Sequence, residues 1–299
     1  MTADAAGAAA AKAASLACWR GPVEIAPLGG GITNHNFLVV CGGERFVARV
    51  GGDIPVHGIL RFNEHAASRA AHAAGLSPEV VHAEPGALVL RYVEGRIFAE
   101  ADVRKPENLA RIVPLIHRCH REMPKYLRGA MPMFWVFQVN RGYGATLRED
   151  GHPLADELSR LLAINQELEA AVGPITVVFG HNDLLPGNFI DDGRRLWLVD
   201  WEYSGFNSAL FDLGNLASNN ELVPKQEEAL LTAYFETPVG EDLRRRYRAM
   251  KCASLLREAM WSMVSETRSR LDFDYVAYTA KNLARFEQAY DGYRERFAG

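Results

Sequence analysis

Strand-type and helix-type residues are segregated along this chain. Short apolar runs punctuated by glycine fill residues 23–92, and beyond Gly95 the spacing turns helical, with one strand-rich interruption at 176–199. Strands grouped ahead of helices do not build an alternating parallel sheet. They predict an α+β chain in which a small antiparallel sheet stands beside a mainly helical body. The strand-type runs are 23–25, 37–41, 46–50, 80–82 and 87–92, with Gly42-Gly43 as a tight hairpin turn, and residues 59–75 read as a helix ending at Gly75. Their sum is a five-stranded sheet with one helix over 1–94, followed by a larger lobe over 95–299.

In the second part Leu109, Ile112, Val113, Ile116 and Cys119 mark one face at helical spacing, and Pro114 is expected to kink that helix. Val276, Leu283, Phe286, Tyr290 and Tyr293 do the same near the end of the chain. The interruption comprises runs at 176–179, 189–190 and 196–199, the last two joined by Asp191-Asp192-Gly193, a hairpin signal. At 299 residues and 48% hydrophobic content the chain can bury a large core. Its net charge of −4 offers no broad attraction to nucleic acid or anionic membranes. No run of about 18 apolar residues is present, so membrane insertion is not expected.

Four cysteines without a C-x-x-C pair argue against a disulfide framework or a cysteine zinc site and for a reducing, cytoplasmic setting. Residues 1–17 are Ala-rich, but Asp4 and Lys12 fit a signal peptide poorly, so they read as a frayed tail leading into a helix. Export stays the alternative, because Ala-x-Ala stretches can be cleaved.

Chemistry concentrates in His181-Asn-Asp-Leu-Leu-Pro-Gly-Asn188, with Asp200 twelve positions on. Phosphoryl transfer needs one carboxylate to orient the attacking hydroxyl, and an amide oxygen plus a second carboxylate to hold Mg²⁺ on the phosphates. Asp183 suits the first role, Asn188 and Asp200 the second. Each of these residues alone reads equally as a turn cap; the ordered set does not. His181 reads as a loop organiser, and His117 and His120 as scaffold packing.

The pattern His-x-Asp-x-x-x-x-Asn with a strand-end Asp resembles the small-molecule phosphotransferases of protein-kinase-like fold. Residues 199–207, Val-Asp-Trp-Glu-Tyr-Ser-Gly-Phe-Asn, and 211–215, Phe-Asp-Leu-Gly-Asn, narrow this to a resemblance to the choline/ethanolamine kinase family over nearly the whole chain. The resemblance implies a bilobal fold, ATP and Mg²⁺. It implies a nucleotide loop at Gly29, Gly30, Gly31, Thr33 and Asn34, where glycines let the backbone approach phosphates closely; a plain hairpin turn is the alternative. Arg49 would face the phosphates, oriented by Glu64, as a strand lysine and a helix glutamate do in protein kinases; a surface ion pair is the other reading. Adenine would lie near residues 90–93, touching Arg91 and Val93, and Glu202 would assist with a second metal ion.

For the acceptor, a cationic amine calls for π faces and negative charge. Tyr203, Glu258 and Trp261 are candidates, and Asn219 stands where family members carry an acidic residue; here 216–220 reads Leu-Ala-Ser-Asn-Asn, with the charge missing or displaced to Glu221. A second aromatic is replaced near Met263 and Val264, and Asp212 reads as acidic lining or as a tie to the catalytic loop. The expected activity is ATP- and Mg²⁺-dependent phosphorylation of a small amino alcohol, choline ahead of ethanolamine, in a cytoplasmic protein for which a homodimer is left open. The alternatives are a kinase of thiamine, a sugar or an aminoglycoside, and a non-catalytic nucleotide or amine sensor. No Ala-Pro-Glu segment follows Asp200, which argues against a protein kinase.

Overall fold

β1 (Val23–Leu28), β2 (His35–Cys41) and β3 (Glu44–Val50) form from the period-two alternation of their side chains: Phe37, Val39, Phe46, Ala48 and Val50 all turn inward. The computed structural model describes residues 3–29, 33–269 and 273–297. The strands pair antiparallel, with Leu38 opposite Val47, and β4 (Val80–Glu84) and β5 (Ala87–Arg91) complete a five-stranded sheet in the order β1-β2-β3-β5-β4. All five expected strands are present.

The expected N-terminal helix is present, and it takes up nearly all of the segment read as a frayed tail: α1 (Ala3–Ala14) is docked on the sheet, with Ala9, Ala13 and Leu16 in one apolar cluster with Phe37, Val39, Phe46, Ala48 and Val50. The Trp19 indole N–H donates to the Ala13 carbonyl at 2.8 Å and satisfies one of the helix-end acceptors. An alanine face lets a helix approach a sheet closely, yet it carries little of the apolar contrast that sequence patterns reveal.

The helix expected at 59–75 is α2 (Arg61–Ala73), whose Ala67, Ala70 and Ala71 join the core of the second part. There follow β6 (Arg96–Ile97), α3 (Glu100–Val103), α4 (Pro106–Arg121), α5 (Val136–Glu149), α6 (Leu158–Val172), β7 (Val177–Gly180), β8 (Phe189–Asp191), β9 (Leu196–Leu198), β10 (Gly205–Ser208) and α7 (Ala209–Asn219). The chain then runs through α8 (Pro224–Phe235), α9 (Glu241–Arg268) and α10 (Tyr275–Phe297). α4 carries Pro114 inside its span, so the proline does not end the helix. β6 and β10 were not anticipated: β6 pairs with β8, and β10 lies antiparallel to β7, with Phe206 opposite Phe179.

α9 is the spine of the helical body. It packs against α5, α6, α7 and α10, and residues from Tyr247 to Ser265 are buried almost all round, as a helix enclosed by others must be. Of the charged side chains in that stretch, Arg257 is the one that is buried. Among the described residues no helix is long and apolar enough to cross a membrane.

Candidate active site

The loop after β7 is held by buried polar groups. Asp212 on α7 accepts the backbone N–H of His181 at 2.8 Å and of Asn182 at 2.7 Å, and His120 Nε2–H donates to it at 2.9 Å. Burial alone would raise the Asp212 pKa, but the His120 hydrogen bond and charge outweigh it and the net shift is downward. Asp212 is thus an ionised anchor behind the loop and not acceptor lining. His120 Nδ1 in turn is hydrogen-bonded with the Tyr234 hydroxyl at 2.7 Å, and His117 stacks on the Tyr234 ring at 4.4 Å, so both histidines serve packing.

The loop turns through Asn182, whose φ is 65°. Its amide donates to the carbonyls of Tyr203 and Gly205 at 3.0 and 3.3 Å, which recovers part of the cost of a left-handed non-glycine residue. Gly180 is required beside it: a Cβ there would sit 2.6 Å from Asn182 Oδ1. His181 Nε2–H donates to the Val199 carbonyl at 3.0 Å and its Nδ1 accepts the Asp183 N–H at 3.3 Å, leaving no nitrogen for base chemistry. Asn188 Nδ2 donates to the Asp183 carbonyl at 2.8 Å, which leaves its amide oxygen for another partner.

One cavity of about 580 Å³ lies between the sheet and the helical body. Gly29, Thr33, Arg49, Arg91 and Val93 line it from the sheet side, and Asp183, Asn188, Asp200, Glu202, Tyr203, Glu258 and Trp261 from the other. Of the remaining sequence candidates, Asn34 and Glu64 bond to residues of that wall without lining it, and Gly30 and Gly31 lie outside the described residues. Asn219 is not brought to the cavity: it sits half-buried at the end of α7, while its neighbour Asn220 is fully buried and donates to the Leu184 carbonyl at 3.1 Å.

An ion network joins the two sides. Arg49 Nε is 3.0 Å from Glu64, and its Nη2 is 2.6 Å from Asp200 and 3.7 Å from Glu202. Burial opposes the Arg49 charge, but Asp200, Glu64 and Glu202 more than compensate, so its pKa is raised. Asp200 itself holds φ 72°, a second left-handed non-glycine residue in the site.

Arg61, which the sequence reading passed over, is the hub. It reaches Glu64 at 2.6 Å, Glu202 at 3.1 Å and the carbonyls of Gly52 and Thr33 at 2.8 and 3.2 Å. Its signal in the sequence is a cation one helical turn before Glu64 on the same face. Glu202, expected as a second metal ligand, is engaged otherwise: the Thr33 hydroxyl lies 2.9 Å from both of its oxygens, and Asn34 donates to it at 3.2 Å. It therefore ties the glycine loop to the helical body.

The wall facing the sheet side is aromatic in part. The Trp261 indole N–H donates to the Tyr203 hydroxyl at 2.9 Å, and the Tyr278 hydroxyl donates to Glu258 at 2.7 Å. Tyr278 and Arg257 line the cavity and were not among the sequence candidates. Burial pushes the Asp183 carboxyl well above the usual carboxylate range, with the Arg257 cation as the main opposing influence. Among the described residues no group of three or more His, Cys, Asp or Glu could hold a metal ion. The free Asn188 amide oxygen and the Asp200 carboxylate do fit a hard cation such as Mg²⁺, which takes few protein oxygens and completes its shell with water and phosphate.

Residues 24–250 match the family model described as the phosphotransferase enzyme family. The chain is 25% identical to protein LicA of Haemophilus influenzae, covering 85% of this chain and 76% of that protein. It is 29% identical to ethanolamine kinase 2 of Homo sapiens, covering 86% and 73% respectively. Among solved structures, a choline/ethanolamine kinase family protein from Mesorhizobium loti superposes with a TM-score of 0.75 at 28% identity, covering 97% of this chain and 94% of that one. The matched region runs from β1 into α9 and contains the sheet, the glycine loop, the 181–188 loop and Asp200, so the bilobal protein-kinase-like fold and its catalytic segment come together: the chain belongs to the phosphotransferase enzyme family.

Proposed function

We propose that this protein transfers the terminal phosphoryl group of ATP to the hydroxyl of a small amino alcohol, choline or ethanolamine, giving the phosphoamine and ADP. The observation that carries this reading is the convergence of Asp183, Asn188, Asp200 and Arg49 on one cavity whose far wall is Tyr203, Trp261 and Tyr278. Relatives named as ethanolamine and choline/ethanolamine kinases support the acceptor class.

In this reading the sheet side, residues 1–94, receives the nucleotide. Gly29 and its neighbours approach the phosphates, Arg49 pairs with their charge, and the backbone near Arg91 and Val93 meets the base. Residues 95–299 supply the rest. Asp183 orients the acceptor hydroxyl and takes its proton as the oxygen bonds phosphorus and ADP leaves. Mg²⁺, held by Asn188 and Asp200, would neutralise charge on the phosphate oxygens. The aromatic faces of Tyr203, Trp261 and Tyr278 suit an ammonium group. ATP use and the four free cysteines support a cytoplasmic location.

A non-catalytic sensor has no need of a positioned carboxylate beside two metal-binding oxygens. Formation of phosphoethanolamine or phosphocholine from ATP tests the reading directly. Product from the wild type and none from Asp183→Asn supports it, whereas ATP binding without product from any alcohol contradicts it.

A further inference from the structure

Arg257 is 2% exposed, stands in the spine helix and lines the acceptor wall. Its Nη1 lies 2.9 Å from Glu258, and its guanidinium carbon sits 4.6 Å over the Tyr203 ring. Nε and Nη2 close no well-formed hydrogen bond, and the Tyr143 hydroxyl is their polar neighbour, so this cation is held by charge and by π contact more than by a donor lattice. Both oxygens of Glu258 are engaged: one accepts from Tyr278, and the other faces Arg257. A carboxylate that looked free to meet an amine is therefore neutralised before any substrate arrives.

We propose that Arg257 is a specificity-determining residue which cancels one of the two acceptor-side carboxylates, Asp183 and Glu258, and so restricts the enzyme to acceptors carrying a single positive charge. This deepens the amino-alcohol reading and rests on it. With Asp183 ionised, as its role requires, the acceptor side bears one net negative charge, which matches ethanolamine or choline. A second ammonium would meet the buried guanidinium without a counter-charge, and a buried unpaired charge is heavily penalised. Polycationic acceptors such as aminoglycosides are excluded on that ground, independently of their size.

The test compares kcat/KM for ethanolamine with that for diaminopropanol, which is dicationic at neutral pH, in the full-length protein. The wild type should prefer ethanolamine by about tenfold or more, and Arg257→Gln should narrow the ratio by about tenfold, the scale of one uncancelled charge at partly screened distance. Glu258→Gln should impair both acceptors, and the double variant R257Q/E258Q, which restores the balance, should return the ratio to the wild-type value. Should Arg257→Gln not fold, Arg257→Lys, expected to keep the wild-type ratio, and Glu258→Gln carry the test. Normal ethanolamine turnover with an unaltered ratio in Arg257→Gln overturns this inference alone. Preference of the wild type for L-serine, the carboxylated counterpart of ethanolamine, also overturns it, because Arg257 would then anchor an anion. No turnover of any amino alcohol by the wild type overturns the parent reading and this inference with it.

Discussion

Arg49 Nη2 and Asp200 Oδ1 meet at 2.6 Å across the cleft. The strand cation suited to nucleotide phosphates is thus bonded to the carboxylate suited to their metal ion, and under the proposed function both would share new partners with Mg²⁺ and ATP. Asp200→Ala should lower kcat by about a hundredfold or more, the usual cost of losing one electrostatic contact to the transferring group. Arg49→Lys keeps the charge but cannot reach Glu64 and Asp200 with one fork, so the KM for ATP should rise about tenfold. Steady-state kinetics with varied ATP separate the two effects. Removal of divalent metal with a chelator should abolish turnover, and added Mg²⁺ should restore it.

Asp183 and Asp212 are both buried carboxylates, yet opposite outcomes follow from their partners. Asp183→Asn should cut kcat by about 10²–10⁴ while leaving urea stability unchanged or higher, because an ionised carboxyl there is opposed by burial. Asp212→Ala removes the acceptor for His120 and two backbone N–H groups and should cost about 3–5 kcal/mol. Equal destabilisation by the two changes would contradict this division.

The raised Asp183 pKa sets the direction of pH dependence. In the proposed mechanism the base works as the carboxylate, so kcat/KM should be full at higher pH and fall as pH drops through a value above the group's ordinary 3.8. Arg257→Gln removes the main influence favouring the charged form and should move that acid limb to higher pH. A profile that stays flat down to the ordinary carboxylate range would refute it.

Trp261 contributes a ring to the acceptor wall and a hydrogen bond to Tyr203. Trp261→Phe retains the ring and should raise the acceptor KM only a few-fold, about one neutral hydrogen bond's worth. Trp261→Ala should raise it about tenfold or more with little change in the KM for ATP. A change confined to ATP would misplace the residue.

How much could be read beforehand follows from how local each signal is. β2 and β3 carry period-two alternation, the other sheet strands are short apolar runs set off by turn residues, and Asp183, Asn188 and Asp200 fall within one short segment, so both were legible. The partners of Glu202 were not, because Thr33 is 169 positions away and the hydrogen bond exists only once the cleft forms. Arg61 and Arg257 were missed for the same reason: their role depends on which carboxylates the fold brings to them. β6 and β10 are too short, and the latter too rich in Gly, Asn and Ser, to show a strand pattern. Asn219 was placed by its position in a motif, and the end of α7 does not carry it to the cavity.

The central claim is that Asp183, supported by Asn188, Asp200 and Arg49, drives phosphoryl transfer to an amino alcohol. Direct detection of the phosphorylated product after incubation with Mg²⁺-ATP and choline, ethanolamine, thiamine, a sugar panel or an aminoglycoside measures it, with Asp183→Asn as the blank. Phosphocholine or phosphoethanolamine formed by the wild type alone is the expected result. Product only from thiamine, a sugar or the aminoglycoside, or none despite bound nucleotide, would contradict it.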